Sequence, residues 1–378
     1  MAFDHIIGQE IQRQRLMDAL MQGRLAHAYL LYGPSGTGVE ALAIELAKAV
    51  NCAQGPGEPC QKCPSCRKIQ RLQHPDLHVF LPSSSTKAAK GENKKSEVEG
   101  RSDARLERRL ALIESLAKDP YAPFIFNKND YLSVDDIRGL RQDAYVKPFE
   151  GRRKVVIIAA ADRMNVAASN ALLKTLEEPP GELMLILTTH RMHGLLPTII
   201  SRCQPVHLGR LPEPVIQEAL ITRYQTDPDT ASAMARQSDG RLNQALQAMS
   251  EEGTAIRKEA FSLLECIHGD HPLQIFEMVD HLTAMHRKTP VVEPLLDALL
   301  SYYRDLFILT ASSKETMAIH IDRLDAMKDI TRKITVEQIE VGIQDIEEIK
   351  QSIVKNGHPQ LALTVLALRL RGRRAQAA

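Results

Sequence analysis

The segment Gly33-Pro34-Ser35-Gly36-Thr37-Gly38 constrains the fold of this 378-residue chain more than any other. Its glycine spacing is that of a loop that binds the phosphates of a nucleoside triphosphate through backbone N–H groups and the N-terminus of the next helix. Such a loop connects a buried strand to a helix. An apolar run at 27–32 precedes it and an Ala/Leu-rich segment at 40–50 follows it. The sequence therefore predicts a strand, a loop and a helix in that order.

The loop lacks the two side chains that perform its chemistry. Val39 and Glu40 occupy the positions where a lysine and a hydroxyl residue would contact the outer phosphates and Mg²⁺. A triphosphatase also needs acidic residues at a strand end, but the apolar strand predicted at 154–158 runs into alanines at 159–160. Asp162 lies further along, roughly 10 Å away on an extended chain, and is a poor substitute. We expect no independent ATP hydrolysis, and weak or absent ATP binding at Gly33, Gly36, Gly38, Val39 and Glu40.

Apolar strands alternate with helical segments in the first half of the chain. Further strands are predicted at 77–81 and 182–189, and a helix at 169–178. This alternation predicts a parallel sheet with helices on both faces. Beyond about Leu208 no strand is predicted, and the pattern is helical to residue 373. The chain is thus predicted to be an α/β domain followed by all-helical parts.

Four cysteines lie within fifteen residues and have the spacing C-x₇-C-x₂-C-x₂-C. Four thiolates satisfy Zn²⁺ tetrahedrally and leave no open position for water, so the predicted site is structural. A disulfide framework is the alternative, and it fits a reducing compartment less well. The remaining two cysteines, Cys203 and Cys266, are isolated and are interpreted as packed thiols. The predicted zinc ligands are Cys52, Cys60, Cys63 and Cys66.

Composition excludes little. The formal net charge is +1, so no global basic field indicates nucleic acid. The longest apolar stretches are shorter than the roughly 20 residues of a membrane helix, and the N-terminus has no secretory pattern. We therefore predict a cytoplasmic location. Residues 83–101, which are nearly devoid of large apolar side chains, are predicted to be a flexible insertion.

Three motifs together point to a family. The run 170–180, Asn-Ala-Leu-Leu-Lys-Thr-Leu-Glu-Glu-Pro-Pro, is followed by Thr188-Thr189 and then by Ser201-Arg202-Cys203. With the glycine loop, they closely resemble the bacterial clamp-loader branch of the AAA+ proteins over most of residues 5–208. The resemblance implies an AAA+ α/β domain at 1–208 with a zinc module at 51–67. A small helical lid at 209–250 and an all-helical collar at 251–378 would follow.

The resemblance also implies residue roles. In clamp loaders the Ser-Arg-Cys motif presents its arginine to the ATP of a neighbouring subunit, so Arg202 is expected to be an arginine finger acting in trans, whereas a lone arginine without that context would be a surface residue. The charged residues of the run, Lys174 and Glu177-Glu178, could serve a subunit interface. Thr188-Thr189 are interpreted as ordinary strand residues rather than a phosphate sensor. Asn243 is expected at the lid's nucleotide-sensing position, although Arg241 is near enough to leave the register open.

The function implied is that of a non-hydrolysing subunit of the DNA polymerase III clamp loader, within a holoenzyme that is nominally a nucleotidyltransferase. Its partners would be the gamma/tau ATPase subunits and the delta subunit. The sliding clamp and primer-template DNA would be reached through the complex, with no membrane involved. Two alternatives remain: an active gamma/tau-like ATPase subunit, which the altered loop disfavours, and a zinc-dependent nucleic-acid-binding protein.

Overall fold

The structure is a computed structural model, and it describes residues 3, 5–55, 57–83, 94–122, 126, 130–271, 273–285, 292–312, 318–320, 323–354 and 358–374. The chain divides into two compact units. The first comprises Met1–Tyr224 and Asp239–Gln244, and the second comprises Gln225–Ser238 and Ala245–Ala378. Residues of the predicted lid, 209–250, fall in both units, so the division into three domains stays a prediction.

A five-stranded sheet forms the centre of the first unit. Its order is β2-β3-β4-β1-β5, and every neighbouring pair is parallel. The four strands predicted from the sequence are confirmed, each to within one residue at either end. The strands are β1 (Ala28–Tyr32), β2 (Leu77–Phe80), β3 (Lys154–Ile158), β4 (Leu183–Thr189) and β5 (Gln204–His207).

The fifth strand was not predicted from the sequence. Among the described strands, β5 pairs with β1 alone and lies at the edge of the sheet. Gln204 and Pro205 are exposed, so the apolar run that indicates a buried strand is missing. Proline cannot donate to a ladder of hydrogen bonds and is confined to positions such as this edge.

Both faces of the sheet are covered. Side chains of one face, such as Leu30 and Ile158, form a core cluster with residues of the helices 134–144 and 166–177. Side chains of the other face, such as Leu31 and Ile157, are equally buried. The helix that follows the glycine loop contacts β1 and β4, and all of its residues are buried. Helices on both faces of a parallel sheet confirm the predicted fold class of this unit.

Eight α-helices lie among the described residues of the first unit. The apolar spacing at 9–22 predicts one of them, and the segments at 40–50 and 169–178 predict two more. Ser133 begins a further helix with a capping box, in which Asp136 N donates to Ser133 Oγ at 3.3 Å and Ser133 N donates to Asp136 Oδ2 at 2.9 Å. These helices are α1 (Glu10–Met21), α2 (Val39–Asn51), α3 (Pro64–Gln70), α4 (Lys94–Lys118), α5 (Val134–Ala144), α6 (Val166–Glu177), α7 (Pro197–Ile200) and α8 (Glu213–Thr222).

Helix α4 begins where a flexible insertion was predicted. Of the predicted range 83–101, residues 84–93 lie outside the described part of the chain, and the chain is helical from Lys94 onward. The prediction rested on the scarcity of apolar side chains, which argues against a packed segment but not against a solvated helix. The apolar anchor comes later in the same helix, where Leu116 is buried.

Gly and Pro residues in the sequence predict breaks between the remaining helices at 227–228, 240, 269–270, 289–290 and 358–359. Asp227 caps α9 by accepting from Thr230 N at 2.9 Å, Gly269 ends α11, and Pro359 begins α16. The predicted break at 289–290 lies outside the described residues. These helices are α9 (Pro228–Gln237), α10 (Leu242–Met249), α11 (Glu251–His268), α12 (Gln274–Met285), α13 (Val292–Ser312), α14 (Leu324–Thr331), α15 (Val336–Val354) and α16 (Pro359–Arg374).

The second unit is built on an apolar core shared by α11, α13, α15 and α16, including Leu264, Leu299, Ile346 and Leu366. Described residues 225–238 and 245–374 of this unit contain helices and no strand, as predicted. Among the helices that the structure describes, none combines the length and the apolar character needed to cross a bilayer.

Candidate functional site: an altered phosphate loop, an arginine and four cysteines

The glycine loop has the shape that its sequence predicts. It leaves β1 at Tyr32 and enters α2 at Val39. Gly36 and Gly38 adopt φ values of +83° and +96°, in the left-handed region that favours glycine. A Cβ atom at Gly36 would overlap the side chain of Asn243. The loop therefore retains the backbone of a phosphate cradle and is closely covered on one side.

Asn243 is the residue that covers it. Asn243 Nδ2 donates to Ser35 Oγ at 2.7 Å, and the backbone N–H of Leu242 donates to Gly36 O at 3.1 Å. Of the two candidates for the lid's nucleotide-sensing position, Asn243 thus contacts the loop. An amide brings no charge to this place, whereas an arginine would.

The two altered positions of the loop face inward. Val39 is fully buried and offers no polar group. Glu40 is also buried, and its Oε1 lies 3.2 Å from Nε2 of His190. His190 reaches back to the loop as well, since its Nδ1 lies 3.1 Å from Gly33 O and can donate to it. An internal ion pair therefore stands where a phosphate loop would bind Mg²⁺ through a hydroxyl.

His190 and Glu40 each shift the pKa of the other in the direction that favours its charged form. Burial alone would lower the pKa of His190, but the Glu40 carboxylate and the hydrogen bonds to it and to Gly33 raise it to about 9. Burial alone would raise the pKa of Glu40, yet the charge and hydrogen bond of His190 hold it below the usual value. At neutral pH the pair is ionised, with the carboxylate beside an imidazolium.

The end of β3, where a triphosphatase would carry acidic residues, provides no metal ligand at 159–160. Ala159 and Ala160 are buried, and Ala160 N donates to Thr188 Oγ1 at 3.4 Å. Thr188 Oγ1 in turn donates to Glu40 Oε1 at 3.3 Å. Thr189 Oγ1 donates to Asp162 Oδ1 at 2.7 Å. Both threonine hydroxyls are thus engaged in internal hydrogen bonds, which agrees with their interpretation as strand residues.

A cavity of about 770 Å³ adjoins the loop and is lined by Gly33, Pro34, Asp162 and His190, among others. Asp162 was considered as a displaced metal ligand. Its Oδ2 accepts from Nε of Arg191 at 3.2 Å, in addition to the bond from Thr189. The carboxylate is therefore held by protein donors on both oxygens.

Arg202 follows α7 and remains accessible. Its side chain is 37% exposed, Nη2 lies 2.8 Å from Glu177 Oε1, and Nη1 donates to Thr198 O at 3.0 Å. Glu177 is itself 48% exposed. Lys174 on the same helix and Glu178 directly after it are exposed, so burial in this unit does not explain these charges. The guanidinium is oriented by two acceptors and is still open to a partner.

The four clustered cysteines converge as predicted. Their Sγ atoms all lie within 4.8 Å of one another, compatible with a metal at about 2.3 Å from each sulfur. Backbone N–H groups support the sulfurs: Cys60 N donates to Cys52 Sγ, Cys63 N to Cys60 Sγ and Cys66 N to Cys63 Sγ, each at 3.4 Å. All four are free thiols, so the disulfide alternative is not realised in this structure.

The donor set fits a cation. The N–H groups of Lys62 and Cys63 lower the pKa of Cys60 to about 6, which favours the thiolate that binds metal. Burial raises the pKa of Cys66, as it does wherever a thiolate lacks a compensating charge. Of the two isolated cysteines, Cys203 is buried and its pKa is raised to about 11 by that burial, while Cys266 is half-buried. Packed thiols were predicted at both positions.

The cysteine segment is attached to α2 by a buried charge. Lys48 and Glu45 form an ion pair at 2.5 Å with both side chains almost fully buried. Lys48 Nζ also donates to Gln61 Oε1 at 3.0 Å and to Gln70. Gln61 Nε2 completes the network by donating to Glu45 Oε2 at 2.8 Å. The polar groups are satisfied within one network, as a buried charge requires.

Sequence reasoning did not find His190. The signal was available, because a carboxylate at the eighth position of a phosphate loop is buried at the start of a helix and needs a cationic partner. Candidates for that partner lie at the end of the neighbouring strand, and His190 directly follows Thr189 there.

The parallel sheet, the glycine loop between its first strand and helix, and the helices that follow are those of an α/β protein with a phosphate-loop fold. Within that class, the altered loop combined with the Ser-Arg-Cys motif resembles the delta-prime subunit of DNA polymerase III. Residues 8–212 match the family described as DNA polymerase III, delta subunit. The chain belongs to that family, and the predicted resemblance is confirmed.

Two similar proteins of known name are subunits of DNA polymerase III. The chain is 28% identical over 355 residues to the DNA polymerase III subunit delta' of Bacillus subtilis (strain 168), covering 94% of both chains. It is 25% identical to subunit tau of the same organism, covering 97% of this chain and 61% of that longer protein. Among solved structures it is similar to a DNA polymerase III gamma subunit-related protein of Thermotoga maritima. That similarity has 17% identity, covers 95% of this chain and 99% of the other, and has a TM-score of 0.42.

Proposed function

We propose that this chain is a non-hydrolysing subunit of the DNA polymerase III clamp loader, which completes the ATPase site of a neighbouring subunit with Arg202. The observation that most supports the first half of this proposal is the ion pair between Glu40 and His190. A carboxylate at the Mg²⁺ position repels phosphate, and its imidazolium partner is already neutralised. Val39 stands in place of the lysine, and residues 159–160 provide no acid. These residues therefore support neither the binding of ATP nor the activation of a water molecule to attack it.

The role of Arg202 is supported by its accessibility and by its orientation. A guanidinium beside a transferring phosphate neutralises developing charge, and loss of such a finger costs on the order of a thousandfold or more in rate. Arg202 has only a half-exposed carboxylate and one carbonyl as partners. Phosphate oxygens of a neighbour's ATP could replace Glu177 with little loss, because exposed ion pairs contribute about 1 kcal/mol or less.

The partners implied are the gamma/tau ATPase subunits and the delta subunit, in a cytoplasmic assembly that loads the sliding clamp onto primer-template DNA. The metal would be one structural Zn²⁺ bound by Cys52, Cys60, Cys63 and Cys66, where four sulfur ligands leave no position for catalysis. The exposed charges Lys174 and Glu177 on α6, and Glu178 directly after it, would belong to a subunit interface.

The test is reconstitution of the complex with wild-type chain or with Arg202→Ala, followed by measurement of clamp- and DNA-stimulated ATP turnover. Arg202→Ala should remove the turnover of the site that it completes. Arg138→Ala is the matched control, since Arg138 is an exposed arginine with a carboxylate partner, Asp135, on a different helix of the same unit. Equal turnover of Arg202→Ala and Arg138→Ala would overturn the arginine-finger role.

The isolated chain separates the remaining alternatives. ATP hydrolysis by the purified chain would favour a gamma/tau-like ATPase subunit. DNA binding that is salt-sensitive and disappears on removal of zinc would favour a nucleic-acid-binding protein. We expect neither result.

A further inference from the structure

A second cavity, of about 690 Å³, lies wholly within the helical unit and is lined mainly by cationic and hydroxyl side chains. Its walls come from α9, from the start of α11, from α13 and from the segment that leads into α14. Four of its lining residues are basic, Arg236, Arg257, Lys258 and Arg323, and one is acidic, Asp229. In a chain with a net charge of +1 this is a local concentration of positive charge.

A buried histidine lines the same cavity. His320 is only 4% exposed, and its Nδ1 lies 2.8 Å from Oδ2 of Asp305. Asp305 is fully buried and also accepts from the backbone N–H groups of Ile319 and His320. The ring of Tyr302 lies 4.0 Å from the imidazole, centroid to centroid. The imidazole is thus held in place by the contact of Nδ1 with Asp305 and by the ring of Tyr302.

Two buried nitrogen atoms of this lining are left without partners in the described part of the chain. They are Nε2 of His320 and Nε of Arg257. The other nitrogens of Arg257 make only long contacts, at 3.6 Å to Met234 Sδ and 3.5 Å to Thr254 Oγ1. Buried polar atoms in proteins almost always have a hydrogen-bond partner, so two unpartnered nitrogens in one cavity indicate a missing polar ligand.

We propose that this cavity binds the phosphate group of a small anionic molecule, with Arg257 and His320 as its buried contacts. Arginine donates charge-assisted hydrogen bonds to phosphate oxygens, and Nε2 of His320 can hydrogen-bond to the same phosphate group. The hydroxyl of Thr254 can supply a further donor, and Lys258 adds positive charge at the exposed rim. The donor atoms themselves are buried, so a compact group reaches them, whereas the backbone of a DNA duplex would meet exposed lysines and arginines instead.

Calorimetric titration of the full chain with inorganic phosphate, at an ionic strength matched with chloride, tests the site. Arg257→Gln should weaken phosphate binding on the order of tenfold or more, because a charge-assisted hydrogen bond is lost. Arg304→Gln makes the same change in charge at an exposed position of α13 that does not line the cavity, and it should bind phosphate as the wild type does. Equal affinity of Arg257→Gln and wild type would overturn the proposal.

His320→Gln tests the second contact but could fail to fold, since His320 contributes to the network of Asp305. The wild type gives an independent measurement. On addition of phosphate, the ¹⁵N resonance of His320 Nε2 should shift, while that of His193, an exposed histidine of the other unit, should not. Adenosine monophosphate distinguishes an esterified from a free phosphate as the preferred ligand. A DNA duplex that displaces phosphate and depends on Arg257 would instead assign the cavity to nucleic acid and overturn the proposal.

Discussion

Nε2 of His190 lies 3.2 Å from Oε1 of Glu40, at the point where a working phosphate loop would hold Mg²⁺. The sequence alone indicated only that the loop had lost a lysine and a hydroxyl. The structure adds that a carboxylate and an imidazolium join the loop, the helix after it and the end of β4. The charged groups at this position are thus side chains of the chain itself, Glu40 and His190.

His190→Gln should destabilise the first unit by about 2–3 kcal/mol. Breaking one partner of a fully buried ion pair costs about 3–5 kcal/mol, and the partial exposure of the imidazole reduces that figure. Urea unfolding gives the measurement, with His193→Gln as an exposed control four residues beyond the end of β4. A loss in His190→Gln no larger than in the control would show that the pair does not stabilise the fold.

The contribution of the pair should depend on pH. Because the pKa of His190 is raised from 6.5 to about 9, its stabilisation is fully present below pH 6.5 and disappears as the pH rises through 9. Because the pKa of Glu40 is lowered from 4.5, its stabilisation is present above pH 4.5 and is lost as the pH falls further. The difference in stability between wild type and His190→Gln should therefore be largest between pH 4.5 and 6.5 and smallest above pH 9. A difference that is constant across that range would contradict the ionised pair.

Gly36→Ala should destabilise the chain by about 1–3 kcal/mol, since a side chain at φ +83° is strained and its Cβ would overlap Asn243. Gly139→Ala is the opposite case. Gly139 lies inside α5, and nothing lies within 4 Å of its added Cβ, so alanine should stabilise the helix by about 0.5–1 kcal/mol. Thermal denaturation of the two variants should move the midpoint in opposite directions.

Glu177→Gln should change stability by less than about 1 kcal/mol, because both members of its pair with Arg202 are more than one-third exposed. A double-mutant cycle with Arg202→Ala, measured by urea unfolding, isolates the coupling between the two side chains. A coupling well above 1 kcal/mol would mean that the pair is a structural element of the fold rather than an accessible surface arginine.

The purified chain should contain one equivalent of zinc by atomic absorption. Cys63→Ser should reduce zinc affinity by at least about 100-fold, the upper end of what loss of a supporting contact to a metal ligand costs. Cys266→Ser removes a half-buried thiol outside the cluster and should leave the zinc content unchanged. Full occupancy in Cys63→Ser would exclude the four-sulfur site.

Elements with strong local signals were predictable, and those that depend on distant partners were not. Strand β3 is apolar from Val155 to Ile158, so it was predicted to within a residue. The cysteine spacing is distinctive, so the four clustered cysteines were each predicted. Strand β5 has an exposed proline and gains its conformation from pairing with β1. The partnership of Glu40 with His190 joins residues 150 positions apart, and the lining of the second cavity comes from four segments. No periodicity in the sequence reports such distances.

Lys48, which is buried in α2, gives this helix a structural role that does not depend on nucleotide. Lys48 holds the cysteine segment against α2 by donating hydrogen bonds to Gln61 and Gln70. Displacement of α2 would move Lys48 away from Gln61 and Gln70. Unfolding of the cysteine segment would remove these two acceptors and leave the buried ammonium group with Glu45 alone. The sulfur cluster therefore needs the framework of strand, loop and helix whether or not the loop binds ATP.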